Sequence, residues 1–151
     1  MTNFRIVFAL LLGALSTLAV AQRALVPIID YKDVSIATGS GKPVTVEQVR
    51  DAIVAAGKRM TWDMAYTADG GLVGTLVVAN KHTISVNIAV SPSKYSVTYR
   101  SSINMKYGVG GPPNYGRSGL ASTEGQPVIH PAYNQWVQSL VSAMDAELRK
   151  L

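Results

Sequence analysis

The chain has 151 residues, 48% of them hydrophobic and 15% charged, with a formal net charge of +5 and no cysteine. That length suits one domain, and the apolar fraction is too high for a disordered chain. Without cysteine there is no disulfide, thiolate metal site, thiol nucleophile or lipid-modified cysteine, and two histidines, His82 and His130, are few for a multi-histidine metal centre.

Residues 1–21 (MTNFRIVFALLLGALSTLAVA) have the three parts of a secretory signal peptide. Arg5 is the lone charge, an apolar run follows from Ile6 to Leu18, and Ala19-Val20-Ala21 supplies small residues for cleavage before Gln22. The run is short for a bilayer span of about 20 residues, and no later stretch is long and apolar enough for one. The expectation is a periplasmic or secreted protein without a transmembrane span after cleavage. Loss of Arg5 leaves it basic. Outside the cytosol, a basic surface faces an envelope protein, a glycan or an anionic lipid surface rather than nucleic acid.

Residues 22–44 read as an extended leader, in which Pro27 to Ile36 (PIIDYKDVSI) is suited to an edge strand or arm and Thr38 to Pro43 to a loop. Thr45 and Gln48 form an S/T-x-x-Q capping box ahead of a helix whose stripe is Val46, Val49, Ile53 and Ala56. Gly57 is placed to end it, followed by Lys58 and Arg59 at the negative end of the helix dipole.

Four strand signals follow. Thr61 to Tyr66 puts Trp62, Met64 and Tyr66 on one face, and Asp69-Gly70-Gly71 turns into Leu72 to Ala79. Asn80-Lys81-His82 turns into Thr83 to Val90, with Ile84, Val86, Ile88 and Val90 inward and Thr83, Ser85 and Asn87 outward. Ser91-Pro92-Ser93 leads to the last strand, Tyr95 to Tyr107, with Val97, Tyr99 and Ile103 on one face. Short connections between successive strands predict an antiparallel meander. The glycine-, proline- and serine-rich segment from Gly108 reads as a long loop, at 108–128. Pro131 then suits the first position of a final helix with the stripe Tyr133, Trp136, Val137, Leu140, Val141, Met144 and Leu148.

The predicted architecture is α+β: (β)-α-β-β-β-β-α, a four-stranded antiparallel meander packed against a C-terminal helix, in the manner of a helix-grip or TATA-binding-protein-like half-fold. Residues 45–151 form the single domain.

Catalytic motifs fail on spacing. Thr38-Gly39-Ser40-Gly41-Lys42-Pro43 lacks the earlier glycine of a P-loop, where Ile36 stands, and has Pro43 in place of the Ser or Thr after the lysine. Ser118, in Gly116-Arg117-Ser118-Gly119, lacks the G-x-S-x-G spacing of a nucleophile elbow. The nine acidic residues fall mostly at turns, on helix polar faces or near the arm, and the histidines have no helical i, i+4 partner. No enzyme activity, metal or cofactor is expected from these patterns. Tyr99, Tyr107, His130, Tyr133, Asn134 and Trp136 are the candidate binding set. Tyrosine and tryptophan offer flat apolar area with one polar tip, which suits sugars and peptides. Their plainer roles are core packing for Tyr133 and Trp136 and local hydrogen bonding at the helix start for His130 and Asn134.

The tract Ile129 to Leu140 (IHPAYNQWVQSL) resembles the I-H-x-x-Y-N-x-W-[VI]-x-x-L ending of a family of small exported proteobacterial proteins, lipoproteins among them, with no assigned function. Tyr99 to Tyr107 (YRSSINMKY) is similar to the Y-x-x-S-x-N-[LM]-x-Y strand of that family, and the helix from Val46 to Ile53 and Trp62 stand in matching order. The resemblance covers most of residues 22–151 and implies export and this fold. Gln22 stands where the lipoprotein members have their anchoring cysteine, and the loop from Gly108 is longer, so no lipid anchor is implied. The functional expectation is a non-catalytic exported binding or envelope-assembly module. The alternatives are an envelope-polymer hydrolase using His130 and a carboxylate, and a carrier of a small apolar ligand held between sheet and helix.

Overall fold

Thr45 starts the first helix, α1 (Val46–Arg59), through the reciprocal pair expected of a capping box. Gln48 N–H donates to Thr45 Oγ1 at 3.2 Å, and Thr45 N–H donates to Gln48 Oε1 at 2.9 Å. Two of the donors that every helix N-terminus leaves unpaired are thereby satisfied. Val49, Ile53 and Ala56 are buried along the expected stripe. A computed structural model describes residues 24–111 and 123–151. The expected signal peptide and the middle of the glycine-rich segment, Ser118 included, lie outside the described residues.

Gly57 does not end α1, which continues to Arg59, and Thr61 takes the left-handed conformation beyond the Met60 cap, with φ of 60°. The glycine answers a different need. It is buried, and a Cβ there would collide with the Met64 side chain. Its bare backbone lets α1 lie close to β3 (Asp63–Tyr66).

The main sheet holds β2 (Tyr31–Ser35), β3, β4 (Leu72–Val78), β5 (His82–Val90) and β6 (Lys94–Ile103), in the order β2-β6-β5-β4-β3. Every pairing is antiparallel. The predicted four-stranded meander is therefore present, with a fifth strand added from the leader. Between β4 and β5, Ala79 and Asn80 both have positive φ, and Lys81 N–H donates to Val78 O at 3.1 Å. This two-residue turn matches the right-handed twist of the strands. It comes one residue earlier than expected, and His82 belongs to β5.

Alternation along the strands assigns the two faces. Leu72, Leu76, Ile84, Val86, Ile88, Tyr95 and Val97 are buried on one side, while Val73, Thr75, Asn87 and Thr98 between them are only partly covered. In β6 the alternation slips. Tyr99 pairs with Val86 and Ser101 with Ser85, so Arg100 is an extra residue. The bulge sends Ile103 to the outer face, where it is 60% exposed, instead of keeping it on the side of Val97 and Tyr99.

A second, small sheet joins distant parts of the chain. β1 (Val26–Pro27), β7 (Gly108–Val109) and β8 (Pro127–Ile129) lie in the order β1-β8-β7, all antiparallel. Both ends of the segment expected to be loop are thus strands, and the arm is divided between two sheets. The last helix, α2 (Ala132–Leu148), begins one residue later than expected. Pro131 is its N-cap, without a side-chain bond.

Both helices contribute to one core with the main sheet. From α2 come Tyr133, Val137, Leu140, Val141, Met144 and Leu148. Burial of each such aliphatic side chain contributes on the order of 2 kcal/mol. At the far end, Arg59 Nη1 lies 2.6 Å from Glu147 Oε1, and Lys150 Nζ lies 2.7 Å from Glu147 Oε2. Among the described residues no helix is long and apolar enough to cross a membrane.

Candidate functional site

The six candidate residues enter from two directions, Tyr99 and Tyr107 from β6 and the turn after it, the other four from the start of α2. Three of them make one aromatic stack. The rings of Tyr99 and Tyr107 are nearly parallel, with centroids 4.7 Å apart and planes at 4°. Tyr133 meets Tyr99 edge-on, at 5.6 Å and 65°. Both arrangements suit the ring quadrupole, which favours offset stacking and edge contacts.

The stack runs from core to solvent. Tyr133 is fully buried, Tyr99 is half-buried, and Tyr107 is 51% exposed. One face of Tyr107 is held by Tyr99. Tyr99 is itself fixed at two points: its N–H donates to Asp30 Oδ1 at 3.0 Å, and its hydroxyl lies 3.1 Å from Ser102 Oγ. The bulge at Arg100 matters here, because it brings Ser102 to the same side as Tyr99.

The Tyr133 hydroxyl is buried without a hydrogen-bond partner. Burial holds its ionisation well above the ordinary range, and the charge of Asp30 and the neighbouring Tyr99 add to the effect. It is therefore a neutral phenol across the physiological range.

Polar members of the set serve the scaffold. His130 Nδ1 accepts the Ala132 N–H at 3.2 Å, supplying the cap that Pro131 does not. His130 N–H donates to Met105 O at 2.9 Å, which fixes the turn after β6 against the start of α2. Asn134 grips the arm twice: its Oδ1 accepts Ile29 N–H at 3.1 Å, and its Nδ2 donates to Pro27 O at 2.9 Å. Trp136 pairs instead with His82, at a centroid distance of 6.4 Å. His82 Nδ1 lies 3.0 Å from Asn104 O, so that nitrogen carries the proton.

Of the six residues named from sequence, the structure stacks the three tyrosines together; Asp30 and Ser102, which hold Tyr99, and His82, which stands beside Trp136, were not foreseen. Asp30 lies far along the chain and gives no local signal. A separate groove, lined by Arg50 and Arg100, also went unforeseen. Among the described residues no three His, Asp or Glu gather in a way that could hold a metal ion.

No protein-family model matches this chain, and no curated protein or solved structure does.

Proposed function

We propose that the protein is a non-catalytic, exported binding module of the bacterial envelope, and that the tyrosine stack is the surface it presents to a glycan. The observation that carries this reading is the Tyr107 ring, half-exposed and seated flat on Tyr99. A ring already stacked on a fixed neighbour loses little freedom when a partner covers its other face, so more of the contact energy appears as affinity. The apolar face of a sugar ring fits such a surface, and its hydroxyls stay in water at the rim.

The signal-peptide pattern of residues 1–21 and the basic net charge support an envelope setting. The use of His130 as a helix cap and of Asn134 as a clamp favours binding over hydrolysis, because these polar atoms already hold the fold together. Between sheet and helices, buried side chains fill the space in which an apolar ligand would have to sit.

Co-sedimentation with purified cell-wall glycan tests the reading. Wild-type protein is expected in the pellet and Tyr107→Ala in the supernatant, with Tyr107→Phe retaining most of the binding because the ring face is kept. Equal pelleting of wild type and Tyr107→Ala, or no pelleting of wild type, would count against it.

A further inference from the structure

A groove of about 470 Å³ lies away from the tyrosine stack and shares no residue with it. Its polar side chains are Arg50, Thr67, Asp69, Asn87 and Arg100. The volume falls in the lower half of the range of about 300–1,000 Å³ usual for small-molecule sites.

Arg50 comes from the second turn of α1 and reaches the β3–β4 hairpin, where a Cβ on Gly70 would stand in ordinary contact, 3.5 Å, with Arg50 Nη2. Its Nε is buried and has no hydrogen-bond partner. Glu47 compensates weakly, at 3.9 Å from Nη2 and largely in solvent. Arg100 is the extra residue of the β6 bulge. Its Nη1 donates to Asn87 Oδ1 at 2.8 Å, which orients the guanidinium and uses one of its five N–H groups. The acid in the groove is tied down: Asp69 accepts from the Thr67 hydroxyl and from Gly71 N–H, and those bonds hold its carboxyl below the usual range.

Two guanidiniums therefore line one groove, and one of them has a desolvated donor with no acceptor. Planar N–H forks match the oxygen pairs of carboxylate and phosphate. No aromatic ring lines the groove, so nothing there would stack a nucleobase. Asn87, Thr67 and the fixed carboxylate of Asp69 suit hydroxyl groups instead.

We propose that this groove binds an oxyanion carried on a hydroxylated body, a sugar phosphate or a sugar acid, held by the guanidiniums of Arg50 and Arg100. The site is independent of the glycan reading for Tyr107. Isothermal titration of protein purified after expression of the full chain tests it, with glucose 6-phosphate, glucuronate, glucose and inorganic phosphate as probes. Both acidic sugars are expected to bind saturably, the tighter one naming the preferred oxyanion, and glucose is not. Arg50→Gln and Arg100→Gln should each weaken binding by about tenfold or more at unchanged melting temperature. Arg100 is exposed, so its variant keeps the test valid if Arg50→Gln fails to fold. Tyr107→Ala should bind the acidic sugars as wild type does, which separates this site from the stack. Absence of saturable binding by either acidic sugar would overturn the proposal, as would equal binding of glucose or inorganic phosphate. Wild-type affinity in the Arg100 variant would do the same.

Discussion

The phenol of Tyr95, buried near the start of β6, donates to Asp145 Oδ1 of α2 at 2.6 Å. This is a charge-assisted bond between elements fifty residues apart, and Tyr95 is 1% exposed. It fixes the rotation of α2 over the strands, and with it the position of Tyr133 one helix length away. Tyr95→Phe keeps the ring and removes the bond, leaving the carboxylate without its donor. The expected loss is about 1.5–3 kcal/mol, read as a melting temperature lower by roughly 5–10 °C.

The same substitution at Tyr133 should act in the opposite direction. Its hydroxyl is buried without a partner, so folding strips it of water and returns nothing. Tyr133→Phe is expected to leave stability unchanged or raise it by about 1 kcal/mol. Thermal melts of the two phenylalanine variants side by side check both signs. A large loss in Tyr133→Phe would show that the hydroxyl is bonded after all.

Alkaline pH reports on the same two phenols. Burial pushes both above the ordinary tyrosine value of 10.0, helped at Tyr95 by the bond to Asp145 and at Tyr133 by the charge of Asp30. A folded-state value above the unfolded one means that the fold favours the protonated form. The stabilisation is complete below about pH 10 and is lost as the pH rises beyond that, through the folded values. A titration followed by phenolate absorbance should show these two phenols ionising above the ordinary tyrosine value, together with loss of the folded circular dichroism signal.

Asn134 holds the arm to α2 through both ends of its amide. Asn134→Ala should cost about 1 kcal/mol overall, because the freed backbone groups can reach water. The local effect should be larger. Hydrogen exchange at the Ile29 amide is expected to speed up much more than exchange in β5, and a uniform change would contradict the clamp.

Legibility in the sequence followed the range of the forces involved. The capping box of α1 and the inward residues of β5 were readable because each depends on neighbours a few positions away. Gly57 was misread as a helix end because its reason, the Met64 side chain, lies in the next strand. The Arg100 bulge depends on pairing with β5, so the simple alternation through Ile103 failed there. The small sheet was missed because strands of two or three residues carry no period, and Val26 finds Ile129 only in the folded chain. For the site, aromatic composition pointed to Tyr99, Tyr107, Tyr133 and Trp136, of which Trp136 lies beside His82 instead. The stacking of the three tyrosines, and the presence of Arg50 and Arg100 in one groove, required the three-dimensional arrangement.

The most direct measurement is nuclear magnetic resonance of the Tyr107 and Tyr99 ring protons during titration with soluble cell-wall oligosaccharide. Saturable shifts largest at Tyr107, smaller at Tyr99 and small in the Trp136 ring are the predicted result. An unmoved Tyr107 while other parts of the protein respond, or no response anywhere at saturating oligosaccharide, would contradict the account.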